Sequence, residues 1–266
     1  MGGKCAGGVS HGTVRGALTR GKMHRYHRDN ADKNGRIIVR LTFQPALGLC
    51  IAAAALAQPA HAQSSAVYIA TYVEVMPNAV APGAALLKQY RDATAKEDGN
   101  QRADALQEIE RPNRFVVVET WRDKAAFDAH GQGASMTSFR DTLTPIADAP
   151  YDQRINNGLY VAPGKNPDQS GALYVVTHVD VIPPGKDDCM AALKAMSADT
   201  VNDPGNIGYA VLQQANRGNH FTIVEAWTDR KGLDDHAAAA HTRAFRDKLS
   251  PIGGALYDER IYKMLN

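Results

Sequence analysis

Tyr68-Ile69-Ala70-Thr71-Tyr72-Val73-Glu74-Val75-Met76-Pro77 is matched 106 positions later by Tyr174-Val175-Val176-Thr177-His178-Val179-Asp180-Val181-Ile182-Pro183. In both, residues for an apolar face alternate with others until proline stops the pattern, as in a half-buried β-strand. Outward from this stretch the same offset pairs Gly99/Gly205, Asn100/Asn206, Phe115/Phe221, Glu119/Glu225, Trp121/Trp227, His130/His236, Phe139/Phe245, Pro145/Pro251, Tyr151/Tyr257 and Arg154/Arg260. Residues 67–156 align with 173–262 without a gap, and both tryptophans of the chain fall on equivalent positions. A repeat this long is a domain and not a solenoid unit, so the chain is a tandem duplication whose halves can associate as protomers do.

The hydrophobic period changes in the same order in each copy. After the first strand comes a helix, Pro82 to Lys96 or Asp187 to Asn202. A turn follows at Gly99-Asn100 or Gly205-Asn206, residue types that accept a left-handed backbone. Strands are predicted near Ala105 to Glu110 and Phe115 to Trp121, and near Ala210 to Ala215 and Phe221 to Trp227, each pair joined by a short turn as a hairpin. Asp123 and Asp229 stand where a helix N-cap is expected, ahead of Phe127 and His130 or Leu233 and His236, which share a face three residues apart. Gly131 and Gly133 predict a break in this helix in copy one, while Ala237 to Ala240 predict continuation in copy two. A last strand, Arg154 to Val161 or Arg260 to Leu265, completes β-α-β-β-α-β. The class is α+β: two ferredoxin-like domains, 63–161 and 172–266, joined by a Pro- and Gly-containing linker, 162–171.

Residues 1–62 read as a leader. Arg36 and Arg40 precede an apolar run from Leu41 to Leu56, and Ala60-His61-Ala62 offers small residues before a cut, the order of a secretory signal peptide with cleavage near Ala62. The long lead before Arg36 points to an internal start such as Met23. The expectation is an exported, periplasmic protein with no membrane anchor in the mature chain. The whole chain carries a formal charge of +2, but the leader holds nine basic residues and two acidic ones, so the mature chain is −5. That balance gives no support for nucleic acid or an anionic surface as partner. Cys189 is the one cysteine left after cleavage, which excludes an internal disulfide.

Asp203-Pro204-Gly205-Asn206 with Tyr209, then Phe221, Glu225, Trp227 and Asp229, then His236, His241 and Phe245, with Pro251 beyond, resembles the antibiotic biosynthesis monooxygenase domain family. The resemblance covers nearly all of copy two and, more loosely, copy one, where Asp98, Ala103 and Ser135 replace Pro204, Tyr209 and His241. It implies that the two units pack sheet to sheet as an intramolecular dimeric α/β barrel, a pseudo-dimer with room for higher homo-oligomers, with a pocket between sheet and helices. The implied chemistry is oxidation of a quinol or phenolic small molecule by O₂ without cofactor. A substrate that donates electrons once deprotonated needs only binding, loss of a proton and shielding from water. On this reading His236, Tyr209 and His130 are the catalytic candidates, with His236 as base and copy two as the working half. Trp227, Trp121, His178, Tyr72, Phe221 and His241 are the substrate-binding candidates.

Each of these residues also has a structural reading. The tryptophans are core aromatics or pocket walls. His130 and His236 are proton acceptors or helix-face histidines held by a carbonyl. Glu119 and Glu225 either accept from those histidines or, as favoured here, form salt links with Arg140 and Arg246. His178 and Tyr72 share a strand position that can face a pocket, and Tyr209 suits a half-buried strand without any substrate. No metal ligation is expected: His236 and His241, five apart, stand about 140° from each other on a continuous helix. Heme breakdown, as in relatives of the family, and ligand binding without catalysis are the alternatives. Against heme, the first-strand asparagine of those relatives is replaced here by Thr71 or Tyr72 and Thr177 or His178.

Overall fold

The computed structural model describes residues 65–163 and 171–266, so the segment read as a leader and the middle of the segment read as a linker lie outside the described residues. Copy one runs β1 (Val67–Glu74), α1 (Val80–Thr94), β2 (Asn100–Glu108), β3 (Arg114–Trp121), α2 (Lys124–Gly131), α3 (Ala134–Leu143) and β4 (Asp152–Val161). Copy two repeats it as β5 (Leu173–Asp180), α4 (Lys186–Thr200), β6 (Asn206–Gln214), β7 (His220–Trp227), α5 (Arg230–Ala237), α6 (Ala240–Leu249) and β8 (Asp258–Met264). Among the described residues no helix is long and apolar enough to cross a membrane.

The eight strands close into one antiparallel barrel in the order β1-β3-β2-β8-β5-β7-β6-β4. Within each copy the order is that of a split βαβ unit, and two seams join the copies. At one, Leu106 to Glu108 of β2 pair with Met264 to Tyr262 of β8; at the other, Asn156 to Val161 of β4 pair with Gln214 to Ala210 of β6. Each copy thus uses the other to satisfy strand edges that would otherwise be open to foreign strands.

Alternation along the strands separates the barrel core from the layers under the helices, where smaller clusters also form around Trp121 and Trp227. Val116, Val118, Tyr174, Val176, Leu212, Val224 and Tyr262, with Tyr68 and Tyr72 against them, fill the barrel and come from both copies. Outside it, Val117, Phe115, Leu87, Tyr90 and Phe139 lie between the copy-one sheet and its helices. Ile223, Phe221, Leu193, Met196, Tyr209 and Phe245 do the same in copy two.

The caps and turns form as their residue types dictate. Asp123 accepts from the Ala126 amide at 2.8 Å and Asp229 from the Gly232 amide at 2.9 Å. Gly99 and Gly205 sit at φ of +83° and +85° in the turns that lead into β2 and β6. A Cβ at Gly99 would lie 2.5 Å from that of Ala126, so the position excludes larger residues twice over.

One expectation is corrected. The helix that Ala237 to Ala240 were to carry onward is broken in copy two just as in copy one: Ala239 is extended at φ −67° and ψ 153°, and α6 starts afresh at Ala240. The break turns α6 so that Phe245 and Leu249 reach the core beside Leu193 and Cys189 of α4. Tertiary burial overrides the helix preference of alanine, which is worth under about 1 kcal/mol per residue.

Candidate functional site

Three places bring together the residues the sequence singles out. The first is a cleft of about 1200 Å³ at one mouth of the barrel. Equivalent positions of both copies line it: Tyr68 with Tyr174, Gln101 with Ile207, Ala103 with Tyr209 and Thr120 with Ala226. Val224 and Glu225 contribute from β7, and Arg91 and Arg102 stand on the copy-one side. The register shifts of β2 between Asn100 and Arg102, and of β6 between Asn206 and Gly208, shape this rim.

The second is a smaller cavity, about 180 Å³, further along the barrel interior. Tyr72, four residues beyond Tyr68 on β1, meets its equivalent His178 there, with Asp152 and Arg154 facing their equivalents Asp258 and Arg260. The Arg154 guanidinium lies 4.7 Å from the Tyr72 ring centre and donates to His178 Nε2 at 2.9 Å. Burial and this guanidinium hold the His178 pKa below its ordinary value, and burial pushes the Tyr72 hydroxyl up to about 12. Two ion pairs balance charge around the cavity, Arg154 with Asp152 and Arg260 with Asp258, both at 2.6 Å.

The third lies between sheet and helices, once per copy. Trp121 and Trp227 are fully buried, and the rings of His130 and His236 stack on them with centroids 4.7 and 4.9 Å away. In copy one, hydrogen bonds run without interruption from the half-exposed Glu97 inward. Glu97 Oε2 is 2.8 Å from His130 Nδ1, His130 Nε2 is 2.9 Å from the Tyr90 hydroxyl, and that hydroxyl donates to Glu119 Oε1 at 2.9 Å. In copy two, His236 Nδ1 meets Asp203 Oδ2 at 2.7 Å, while Glu225 accepts from the Trp227 indole at 2.8 Å.

The salt links favoured for the two glutamates do not form. Arg246 reaches Glu259 and Arg140 reaches the Tyr151 hydroxyl, because the strand direction turns Glu119 and Glu225 into the dry layer under the helices. With no direct ion pair, burial raises Glu119 to about 7 and Glu225 to about 8, against the hydrogen bond from Tyr90 and the nearby Trp121 indole in copy one and the Trp227 indole and the more distant Arg246 charge in copy two. Burial lowers His236, against the opposing pull of Asp203.

Of the residues picked from the sequence, Tyr209 lines the cleft, and Tyr72 and His178 line the small cavity. Trp121, His130, Trp227, His236 and His241 belong to the sheet–helix layer, and Phe221 is fully buried core. Tyr90 went unnoticed as a site residue because its equivalent, Met196, breaks the repeat.

His236 and His241 also depart from expectation. Because α5 ends between them, they are not five residues apart on one helix, and His241 Nε2 comes within 3.3 Å of His236 Nδ1.

Comparison with known proteins agrees with this architecture. The structure resembles that of a candidate monooxygenase from Fusobacterium nucleatum, with a TM-score of 0.68 at 17% identity, over 76% of this chain and 93% of that one. A second candidate monooxygenase, from Lactobacillus acidophilus, gives 0.63 at 14% identity over 76% and 94%. An anthrone oxidase-like protein gives 0.60 at 12% over 76% and 92%. At these identities the likeness is one of fold, and no curated protein sequence matches the chain. Residues 66–142 and, again, 172–248 match the antibiotic biosynthesis monooxygenase domain, and the chain therefore belongs to that family, with its domain present twice.

Proposed function

We propose that the protein is an exported monooxygenase that oxidises a quinol or a related electron-rich phenolic compound with O₂, with the substrate seated in the cleft at the barrel mouth. The observation that carries this reading is the pair of buried carboxyls, Glu119 and Glu225, held at equivalent positions behind the cleft-lining strands and raised to about 7 and about 8. A group exchanging its proton near neutrality is what phenol oxidation asks of a protein. The Tyr68 and Tyr174 rings supply aromatic walls, while Tyr209 and Glu225, cross-strand neighbours buried in the sheet–helix layer, stand behind the strands of the cleft as its nearest hydroxyl and proton acceptor. His236, which does not line the cleft and is hydrogen-bonded to Asp203, is not assigned the base role in this reading.

For a benzohydroquinone the reaction balances as one quinol plus one O₂ giving one hydroxyquinone plus one water. Loss of the phenolic proton makes the ring able to reduce O₂, one oxygen atom bonds to a ring carbon, and the other leaves as water. The test is oxygen uptake by the purified chain with a panel of benzo- and naphthohydroquinones, read against autoxidation without protein. Uptake above that control is expected, falling by about 100-fold or more in Glu225→Gln and much less in His236→Ala. No uptake across the panel, or equal uptake by Glu225→Gln and wild type, would sink the reading. Export is checked separately by finding Gln63 at the N-terminus of the recovered protein.

A further inference from the structure

The layer under the helices of copy two holds a constellation that the proposed reaction does not use. Asp203 Oδ2 lies 2.7 Å from His236 Nδ1 and 3.0 Å from His241 Nε2, and the two nitrogens are 3.3 Å from each other. Three separate elements deliver these atoms: the turn before β6, the last turn of α5 and the first turn of α6. Hydrogen bonds alone leave such a triangle unsatisfied. Two imidazole N–H groups aimed at one carboxylate oxygen serve two edges, and the third edge then sets two donors side by side. A divalent ion bound about 2.0–2.2 Å from each donor in tetrahedral geometry would hold those donors about 3.3–3.6 Å apart; the edge between the two histidines is already at 3.3 Å, and the edges to Asp203, at 2.7 and 3.0 Å, need to open by less than about 1 Å.

We propose that Asp203, His236 and His241 form a binding site for a first-row divalent transition ion such as zinc, with water completing its coordination. Two neutral imidazoles and one carboxylate suit zinc, copper, nickel or iron and not magnesium or calcium, which take oxygen donors. The donors are reachable without being loose, with side-chain exposures of 6% for His236, 15% for His241 and 18% for Asp203. The ring of His236 is fixed by stacking on Trp227 and by contact with the Thr242 hydroxyl, which lies 3.4 Å from both ring nitrogens.

Copy one supplies an internal control. Its equivalents are Glu97, His130 and Ser135, and there Nδ1 of His130 meets the Glu97 carboxylate at 2.8 Å with no third donor. The same scaffold therefore carries an ordinary acid–histidine pair in one half and a closed triad in the other. The cluster of His178, Asp180 and His220 also gathers donor atoms, but the Arg154 guanidinium already donates to His178 Nε2 at 2.9 Å and would repel a cation.

The test uses the whole chain, stripped with a chelator and titrated with zinc against a chromophoric competitor, and with cobalt to read its visible d–d absorption. Wild type should bind one equivalent that is lost, or weakened by more than about 100-fold, in His241→Ser. That variant installs the residue that copy one tolerates at Ser135, and Asp203→Asn, which keeps the side-chain shape, should lose the same equivalent. His178→Gln should leave binding unchanged. Equal zinc binding by wild type and both variants, or no cobalt band in wild type, would overturn the proposal. Because the readout is metal content and not turnover, its outcome is independent of whether a quinol is oxidised.

Discussion

The two sheet–helix layers share their tryptophan, histidine and glutamate, yet they place their tyrosine on opposite walls. In copy one Tyr90 comes down from α1 over the small Ala103, donates to Glu119, and leaves the Trp121 indole nitrogen without a partner. In copy two the helix position holds Met196, and Tyr209 rises from the strand as the cross-strand neighbour of Glu225. There the Trp227 indole takes the carboxylate, and the Tyr209 hydroxyl makes no close hydrogen bond to it. Each buried glutamate thus receives one strong donor, an oxygen acid in one half and an indole in the other. The duplication has kept the carboxyl and exchanged what stabilises it, which separates what the fold requires from what each half can vary.

The largest consequence is a stability that falls as pH rises. Below the ordinary value of 4.5 both carboxyls are protonated whether the chain is folded or not. As pH climbs, the unfolded chain ionises first, while the folded protein holds its protons until about 7 at Glu119 and about 8 at Glu225. Raised folded values mean that stability is lost across this window, at 1.36 kcal/mol per pKa unit, or about 3 kcal/mol for Glu119 and about 5 for Glu225. Urea denaturation at pH 5 and pH 9 should therefore show Glu119→Gln and Glu225→Gln gaining on wild type by about these amounts at the higher pH. Curves that stay parallel would mean that the carboxyls are ionised inside the fold and that the two layers do not differ in this way.

The exchange itself can be tested as a double-mutant cycle in copy two. Tyr209→Ala alone should cost about 3–4 kcal/mol by opening a cavity, and Met196→Tyr alone about 1–3 kcal/mol by overfilling the layer. Made together they reproduce the arrangement of copy one, and denaturation should show the pair about 2 kcal/mol less destabilised than the sum. Strict additivity would mean that the strand and helix positions do not share one volume.

Much of this molecule was readable without coordinates, and what was not has definite causes. The order of strands and helices, the aspartate caps and the left-handed Gly99 and Gly205 follow from local chemistry, and each appears twice, so one copy checks the other. The tyrosine exchange was hidden because a fixed offset compares one position with one position. Ala103 against Tyr209 read as a loss, while its compensation lay on another element at Tyr90 and Met196. The triad was missed for a different reason: alanine-rich sequence argued for a continuous helix, and only burial of Phe245 and Leu249 bends the chain at Ala239 and swings His241 toward His236. The absence of Arg partners for Glu119 and Glu225 is likewise a matter of which side of a strand faces the helices, and spacing along the chain does not reveal it.

The finest test removes single oxygen atoms. Tyr90→Phe deletes a hydroxyl that bonds both Glu119 and His130, so it strands two buried groups and should cost about 1–2 kcal/mol in denaturation at pH 6. Loss of that donor also removes a bond that holds the Glu119 pKa down, so the variant should retain its proton to a higher pH than wild type does. Tyr209→Phe deletes a hydroxyl that makes no close hydrogen bond and has only Ser197 and Thr200 near it, and it should change stability by no more than about 0.5 kcal/mol. If Tyr209→Phe nonetheless abolished oxygen uptake while stability held, the strand tyrosine would be kept for the substrate and not for the fold. The difference between the halves would then mark copy two as the side that meets the ligand. If both hydroxyls proved silent in uptake, the exchange would be a packing rearrangement alone, and the working chemistry would rest on the carboxyls that the two copies hold in common.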